Sequence, residues 1–191
     1  MPAATAAGMP RLPRYAFEDT TMGLPRKLKN FDTFQNGESF IGQVNSLTLP
    51  KLARKMEEIR PGGLDASIKV DMGGEALELS FAAAGYLRSA LRQFGATSVG
   101  AVQLRWAGAY QAEDTGFYQA VEIVARGRYS EIDRGEAKAG ESSETKFTMP
   151  LVYYKESVDG RVLFEIDVIN HLFLVDGVDM LAAQRAAMGH W

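Results

Sequence analysis

Apolar and polar residues alternate with a period of two through much of this chain. Ile68, Val70 and Met72 interleave with Ser67, Lys69 and Asp71, and Leu77, Leu79 and Phe81 with Ala76, Glu78 and Ser80. Further on, Val102, Leu104, Trp106 and Tyr110 alternate with Gln103, Arg105 and Gln111, and Val121, Ile123 and Ala125 with Glu122 and Arg126. Successive side chains of a strand point to opposite faces, so each run predicts a strand with one face on a core and the other toward water or a neighbour. Phe147, Met149, Leu151 and Tyr153 share one face of another strand. Asp159-Gly160 predicts a tight hairpin, because both residues tolerate the positive φ it requires. Val162, Phe164, Ile166 and Val168 follow on the return strand, with Phe164 expected to point inward beside Val162 and Ile166. Gly73-Gly74 reads as the turn of a hairpin spanning residues 68–81.

Two short helices interrupt this pattern. Residues 86–94 place Leu87, Ala90, Leu91 and Phe94 on one helical face, and Gly95 suits a left-handed stop. Near the end, Asp179 can cap a helix over residues 180–188, closed by Gly189. Residues 51–60, KLARKMEEIR, look helical by propensity, with Pro50 placed for a first turn. Residues 1–23 are rich in Ala, Pro and Gly without a stable period and read as an irregular arm, leaving residues 24–191 as one domain.

At 191 residues, 46% hydrophobic and 24% charged, the chain has the make-up of an ordinary globule able to bury a core without disulfides or metal. There is no cysteine, which removes thiol chemistry and thiolate metal sites. Nothing reads as a signal peptide or a membrane span, so a soluble protein made in the cytoplasm, with no membrane anchor, is expected. The net charge of −3 is uneven: residues 1–29 hold five basic and two acidic residues, the remainder 16 basic and 22 acidic. An acidic body is ill suited to gripping nucleic acid. The first segment reads either as a solvated tail or as an arm that meets an acidic neighbour.

Catalytic constellations are missing. The two histidines, His171 and His190, are far apart in sequence, and His171 adjoins apolar Leu172 and Phe173. Carboxylate pairs such as Glu57-Glu58, Glu131/Asp133 and Glu165/Asp167 read as solvated or interface charge. Ser142-Ser143 has no histidine partner, and the glycines match neither phosphate-cradling nor dinucleotide patterns. No cofactor and no enzyme activity are expected. The charged segment 133–146 reads as a flexible surface loop.

Several blocks in order carry a family resemblance. They begin with LPRKLKNFDTFQNGESFIGQVNSLTLPKLARKMEEIRPGG at 24–63 and Arg105-Trp106-Ala107-Gly108 followed by Asp114-Thr115-Gly116. ARGRYSEIDRGEAKAGE at 125–141, Tyr153-Tyr154-Lys155, Val158-Asp159-Gly160-Arg161, Phe164-Glu165-Ile166-Asp167 and GVDMLAAQRAAMG at 177–189 complete the set. Together they resemble the major tail tube protein of contractile-tailed bacteriophages over roughly residues 24–189, and also the tubes of phage-tail-like bacteriocins. The arm lies outside the resemblance.

The resemblance implies a mainly β fold, an antiparallel β-sandwich or barrel with one flanking helix and a short C-terminal helix. It also implies an extended course for 51–60, leading into a long hairpin, which we follow over helical propensity. It implies a virion protein, assembled in the host cytoplasm, whose homohexameric rings stack into a tube. Its partners would be the tail sheath, baseplate and tail terminator proteins, with the tape measure protein and DNA passing through the lumen. An acidic lumen would repel phosphate. On that reading Lys69, Asp71 and Glu78 are candidates for the channel wall. Arg11, Leu12, Arg14, Tyr15 and Phe17 are candidates for an arm that bridges copies. A type VI secretion tube fits the blocks less well. From other classes, a monomeric β-barrel with an unfilled apolar interior is the alternative, and an enzyme is a weaker third.

Overall fold

The computed structural model describes residues 23–140 and 143–189. Its elements run β1 (Lys27–Gln35), β2 (Glu38–Ser39), β3 (Val44–Thr48), β4 (Arg54–Ile59), β5 (Ile68–Gly74), β6 (Leu77–Ala84), α1 (Arg88–Leu91) and β7 (Val102–Gln111). Then follow β8 (Tyr118–Gly127), β9 (Glu131–Asp133), β10 (Glu144–Val158), β11 (Arg161–Asp167), β12 (Leu172–Val175), β13 (Val178–Asp179) and α2 (Ala182–Ala187). Every ladder is antiparallel.

The 15-residue β10 organises the molecule. Residues 144–151 pair with β6, which in turn pairs with β3, while residues 151–158 pair with β8 and β11. The main path of the sheet is thus β13-β12-β11-β10-β8-β7-β1-β2, with β6 and β3 as a second wing. A register shift between Leu151 and Tyr153 marks the division, and Pro150 just before it has no N–H to donate. β8 passes so close there that a Cβ on Gly127 would lie 2.2 Å from the Pro150 carbonyl oxygen. The two wings share one core of Leu77, Leu79, Phe81, Val102, Leu104, Trp106, Ile123, Ala125, Phe147 and Met149. Phe81 and Phe147 stack with centroids 4.8 Å apart. The expected antiparallel sandwich is therefore one sheet bent about β10, and it does not close into a barrel.

The alternation in β6, β7 and β8 places its apolar members in the core as expected. In β10 the bulge shifts the phase, so Tyr154 is buried and Tyr153 only partly covered. Asp159 and Gly160 both have positive φ, as a tight hairpin needs. Phe164 and Ile166 pack against the core but stay half-buried, short of the full burial expected for Phe164. Both helices are shorter than read. α1 buries Ala90, with Leu87 just before it, and leaves Phe94 exposed; Gly95 makes the left-handed stop. α2 starts after Leu181 rather than at Asp179, which belongs to β13.

The largest correction concerns residues 68–81. β5 pairs with β4, across residues 54–74, and not with β6. Gly73-Gly74 is the end of a strand, and Glu75-Ala76 carries the chain on to β6. Residues 54–59 are extended, as the resemblance implies; all six are exposed, so ladder pairing with β5 rather than burial overrode helical propensity there. The arm candidates Arg11, Leu12, Arg14, Tyr15 and Phe17, like His190, lie outside the described residues.

Candidate assembly surface

The β4–β5 hairpin forms its own two-stranded sheet. Directly opposed residues share a face, so the pairs Ile59/Ile68 and Glu57/Val70 put Ile59, Ile68 and Val70 on one side, with Glu57 beside them. Met72 follows in the alternation beside a bulge at Gly73, whose φ is +110°. Ile68 is 48% exposed and Met72 56%. An isolated two-stranded hairpin is marginal in water, yet this one presents an apolar stripe that no described residue of the chain fully covers. The other face carries Met56, Glu58, Lys69 and Asp71.

The root of the hairpin is tied by Arg54. Its guanidinium pairs with Asp71 across the ladder and lies 5.5 Å over the Phe173 ring of β12. The Gly73 N–H donates to Asp71 Oδ1 at 2.8 Å, and the Glu75 N–H donates to the Ala53 carbonyl at 2.9 Å. The Gly73 N–H, then Arg54, hold the Asp71 carboxyl below its ordinary value. Of the three residues expected on a channel wall, Lys69 and Asp71 stay on this hairpin. Glu78 stands on β6, opposite Pro150. They therefore do not line a common ladder.

A second surface is the open face of the main sheet. One row across it is Phe34–Arg105–Val124–Lys155–Glu165, and the next includes Asp32, Ala107, Glu122 and Ser157. Charge here is matched locally. Arg105 Nε pairs with Glu122 Oε1 at 2.6 Å, the Tyr153 hydroxyl donates to Glu165 Oε1 at 2.8 Å, and Arg126 lies 5.4 Å over the Tyr153 ring. Burial and the neighbouring carboxylate push the Tyr153 phenol up to about 12, so it remains a donor at working pH. The polar half of the alternation in β7 and β8 was the sequence signal for this face; what it lacked was the strand order that assembles the rows.

Among the described residues the sheet ends openly on both sides. β2 covers β1 only at Phe34 and Gln35, and β13 covers β12 only at Leu174 and Val175. Near the β1 end, Leu24, Leu28, Phe117 and Tyr118 are exposed; near the other, Val168, Ile169, Val178, Met180 and Met188 are. The basic surplus of the first 29 residues also sits here, on Arg26, Lys27 and Lys29 at the root of β1, and not in residues 1–22. Lys29 pairs with Glu113, and Arg26 Nη1 donates to Gln119 Oε1 at 3.1 Å.

α2 buries no residue of its own. Arg185 holds it, pairing with Asp179 and donating from Nη1 to the His171 carbonyl at 2.9 Å. Arg185 first, then the Leu181 N–H, keep the Asp179 carboxyl below its ordinary 3.8. A carboxyl depressed in the folded state stabilises it above the unfolded value and loses that contribution as pH falls through the folded one. We expect the amides of residues 182–188 to exchange faster as pH drops from roughly 5 toward 2 while the core amides hold. Equal protection of this segment across that range, after correction for intrinsic exchange, would show that the ion pair does not hold the helix.

Among the described residues no group of three His, Asp or Glu side chains could hold a metal, and no helix is long and apolar enough to cross a membrane. The space between the wings is filled by Phe40, Phe81, Phe147, Trp106 and Tyr154. That differs from a barrel that keeps an apolar cavity for a ligand.

A family model described as phage tail tube protein FII matches residues 25–189. The tail tube protein of Escherichia phage P2 is 44% identical over 171 residues, covering 88% of this chain and 99% of that protein. The major tail tube protein of Serratia phage KSP20 is 35% identical over 161 residues, covering 83% and 92% respectively. Two solved structures share the fold at low identity. The sheath/tube terminator of the PVC extracellular contractile injection system, in its extended state, has a TM-score of 0.56 and 10% identity over 72% of this chain and 99% of that one. The PVC sheath–tube complex, also extended, has a TM-score of 0.54 and 8% identity over 70% and 91%.

Proposed function

The chain belongs to the phage tail tube protein FII family, and from that premise we propose that it is a structural protein of the virion, polymerising into the inner tube of a contractile tail. The observation that carries this reading is the β4–β5 hairpin, whose apolar stripe stays largely exposed among the described residues. Exposed apolar surface and open strand edges are hazards to a monomer and joints in a polymer. Six copies joined side by side would let the open end at β1 meet the end at β12 and β13 of the next copy. Closing the ring removes both edges. Rings then stack head to tail, a heterologous contact that extends without limit.

The partners of this assembly are further copies of the chain, the surrounding sheath, the terminator and the baseplate, with tape measure protein and DNA in the lumen. The tube makes and breaks no bond. Both curated relatives are phage proteins, which favours a virion over a bacteriocin particle. Sedimentation over a concentration series tests the reading: mass should pass from the 20.9 kDa monomer to hexamers and larger species.

The channel wall follows from where charge is already matched. A conduit must not hold phosphate, and uncompensated cations do. We assign the lumen to the open face of the main sheet, where Arg105, Arg126 and Lys155 are offset by Asp32, Glu122, Glu165 and Asp167. Lys69, Asp71 and Glu78 are the competing choice. In tails built with Glu122→Lys and Glu165→Lys, DNA ejection at low salt should slow while tubes still form. Slowing by Asp71→Lys and Glu78→Lys instead, with the first pair ejecting like the parent, would move the lumen to the other surface.

A further inference from the structure

The hairpin leaves the body between Ala53 and Glu75, and an apolar stripe on a projecting ribbon works only if the ribbon points the right way. We propose that Arg54 is the positioning residue that aims the hairpin, an inference that rests on the hairpin being a contact between copies. Arg54 is the first residue of β4, and one side chain spans two boundaries. Its Nε pairs with Asp71 on the opposite strand, and its Cζ lies 5.5 Å from the ring centroid of Phe173 in β12 of the main sheet. Asp71 is itself fixed from behind by the Gly73 N–H at 2.8 Å.

The chain of contacts is therefore Gly73, Asp71, Arg54, Phe173: from the bulge of the ribbon, through one flat cation, onto the body. The ladder within the ribbon does not need it, since the pairs from Met56/Asp71 to Ile59/Ile68 stand without the Arg54 side chain. What Arg54 adds is an angle. Arginine is the residue for this task, because its planar fork can bond a carboxylate at the edge and stack on a ring with its face. Lysine keeps the charge but loses the plane.

The chain has no cysteine, so a pair of spin labels on full-length Leu64→Cys/Tyr86→Cys protein, one in the hairpin loop and one on the body, reads the angle in the monomer. The parent should give one narrow distance. Arg54→Lys and Phe173→Leu should each broaden it, with the melting temperature unmoved, and without the labels each should raise the tube-forming concentration about two- to fivefold, the range for losing an exposed cation–π contact. The double variant should be no worse than either single one, because both cut the same link. A label distance in Arg54→Lys as narrow as in the parent, an unchanged tube-forming concentration, or effects that multiply in the double variant would overturn the proposal. Ile68→Asp separates the levels. If it blocks tubes while Arg54→Lys behaves like the parent, the aiming role fails and the hairpin contact stands. If Ile68→Asp forms tubes like the parent, the hairpin contact itself fails, and the aiming role with it.

Discussion

A chain carrying Ile68→Asp and Val70→Asp should fold normally and form no tubes at concentrations where the parent is fully assembled. Ile68 stands opposite Ile59 and on the same face as half-buried Val70, and among the described residues Ile59 and Ile68 stay exposed. Burying one such side chain against a neighbour is worth roughly 1.5–3 kcal/mol. The variant forfeits that twice and must also bury two carboxylates without partners. The same loss recurs at every copy of a polymer, so assembly should stop rather than weaken. The body should be spared because the hairpin contributes no residue to the core. Its melting temperature should move by no more than a few degrees, since surface changes away from special features stay near ±0.5 kcal/mol. Electron microscopy beside a thermal melt checks both halves. Tubes at the parent's concentration would remove the hairpin from the interface, and a collapsed melting temperature would mean that it supports the fold.

Phe147→Ala should cost about 3–5 kcal/mol, the usual range for emptying a fully buried aromatic site. Phe147 is 0% exposed and sits in the half of β10 that joins the wings. Its ring stacks on Phe81 and touches Tyr129 at 5.4 Å between centroids. Phe81 on β6 and Tyr129, between β8 and β9, would face the void. Against a typical total of about 5–15 kcal/mol, this removes a large share of the stability. Phe164→Ala is the contrast. Half-buried on β11, it should cost clearly less in the monomer. Urea unfolding of both variants decides the matter, and equal losses would mean that the second wing contributes no more to the core than the margin of the sheet does.

The sequence reading succeeded where structure is local. Leu79, Leu104 and Ile123 announce strands by alternation, and Asp159-Gly160 announces a turn because few residues accept two successive positive φ values. It failed where the deciding partner is remote. The alternation at Ile68, Val70 and Met72 reports a strand but not its partner, and in KLARKMEEIR propensity alone points to a helix where the family resemblance correctly implied an extended course. Gly73-Gly74 has the composition of a turn, yet serves a bulge at the end of β5. At Tyr153 the period of two was carried one residue too far, because a bulge after Pro150 exchanges the faces. The stripe on β5 was also assigned to the core. Period alone cannot say whether an apolar face meets its own chain or another copy, and here Met72 and Ile68 stay exposed among the described residues. The matched charges of the open sheet face come from rows that cross β1, β7, β8, β10 and β11, an order that no single segment encodes.

Cryo-electron microscopy of the purified full-length protein, imaged from dilute to concentrated solution, goes most directly to whether this chain builds a tube. We expect stacked sixfold rings, with each β4–β5 hairpin seated against another copy and the face bearing Arg105 and Glu122 toward the channel. A protein that stays a uniform monomer at every concentration and salt, even when tail initiator components are supplied, would overturn the assembly proposed here.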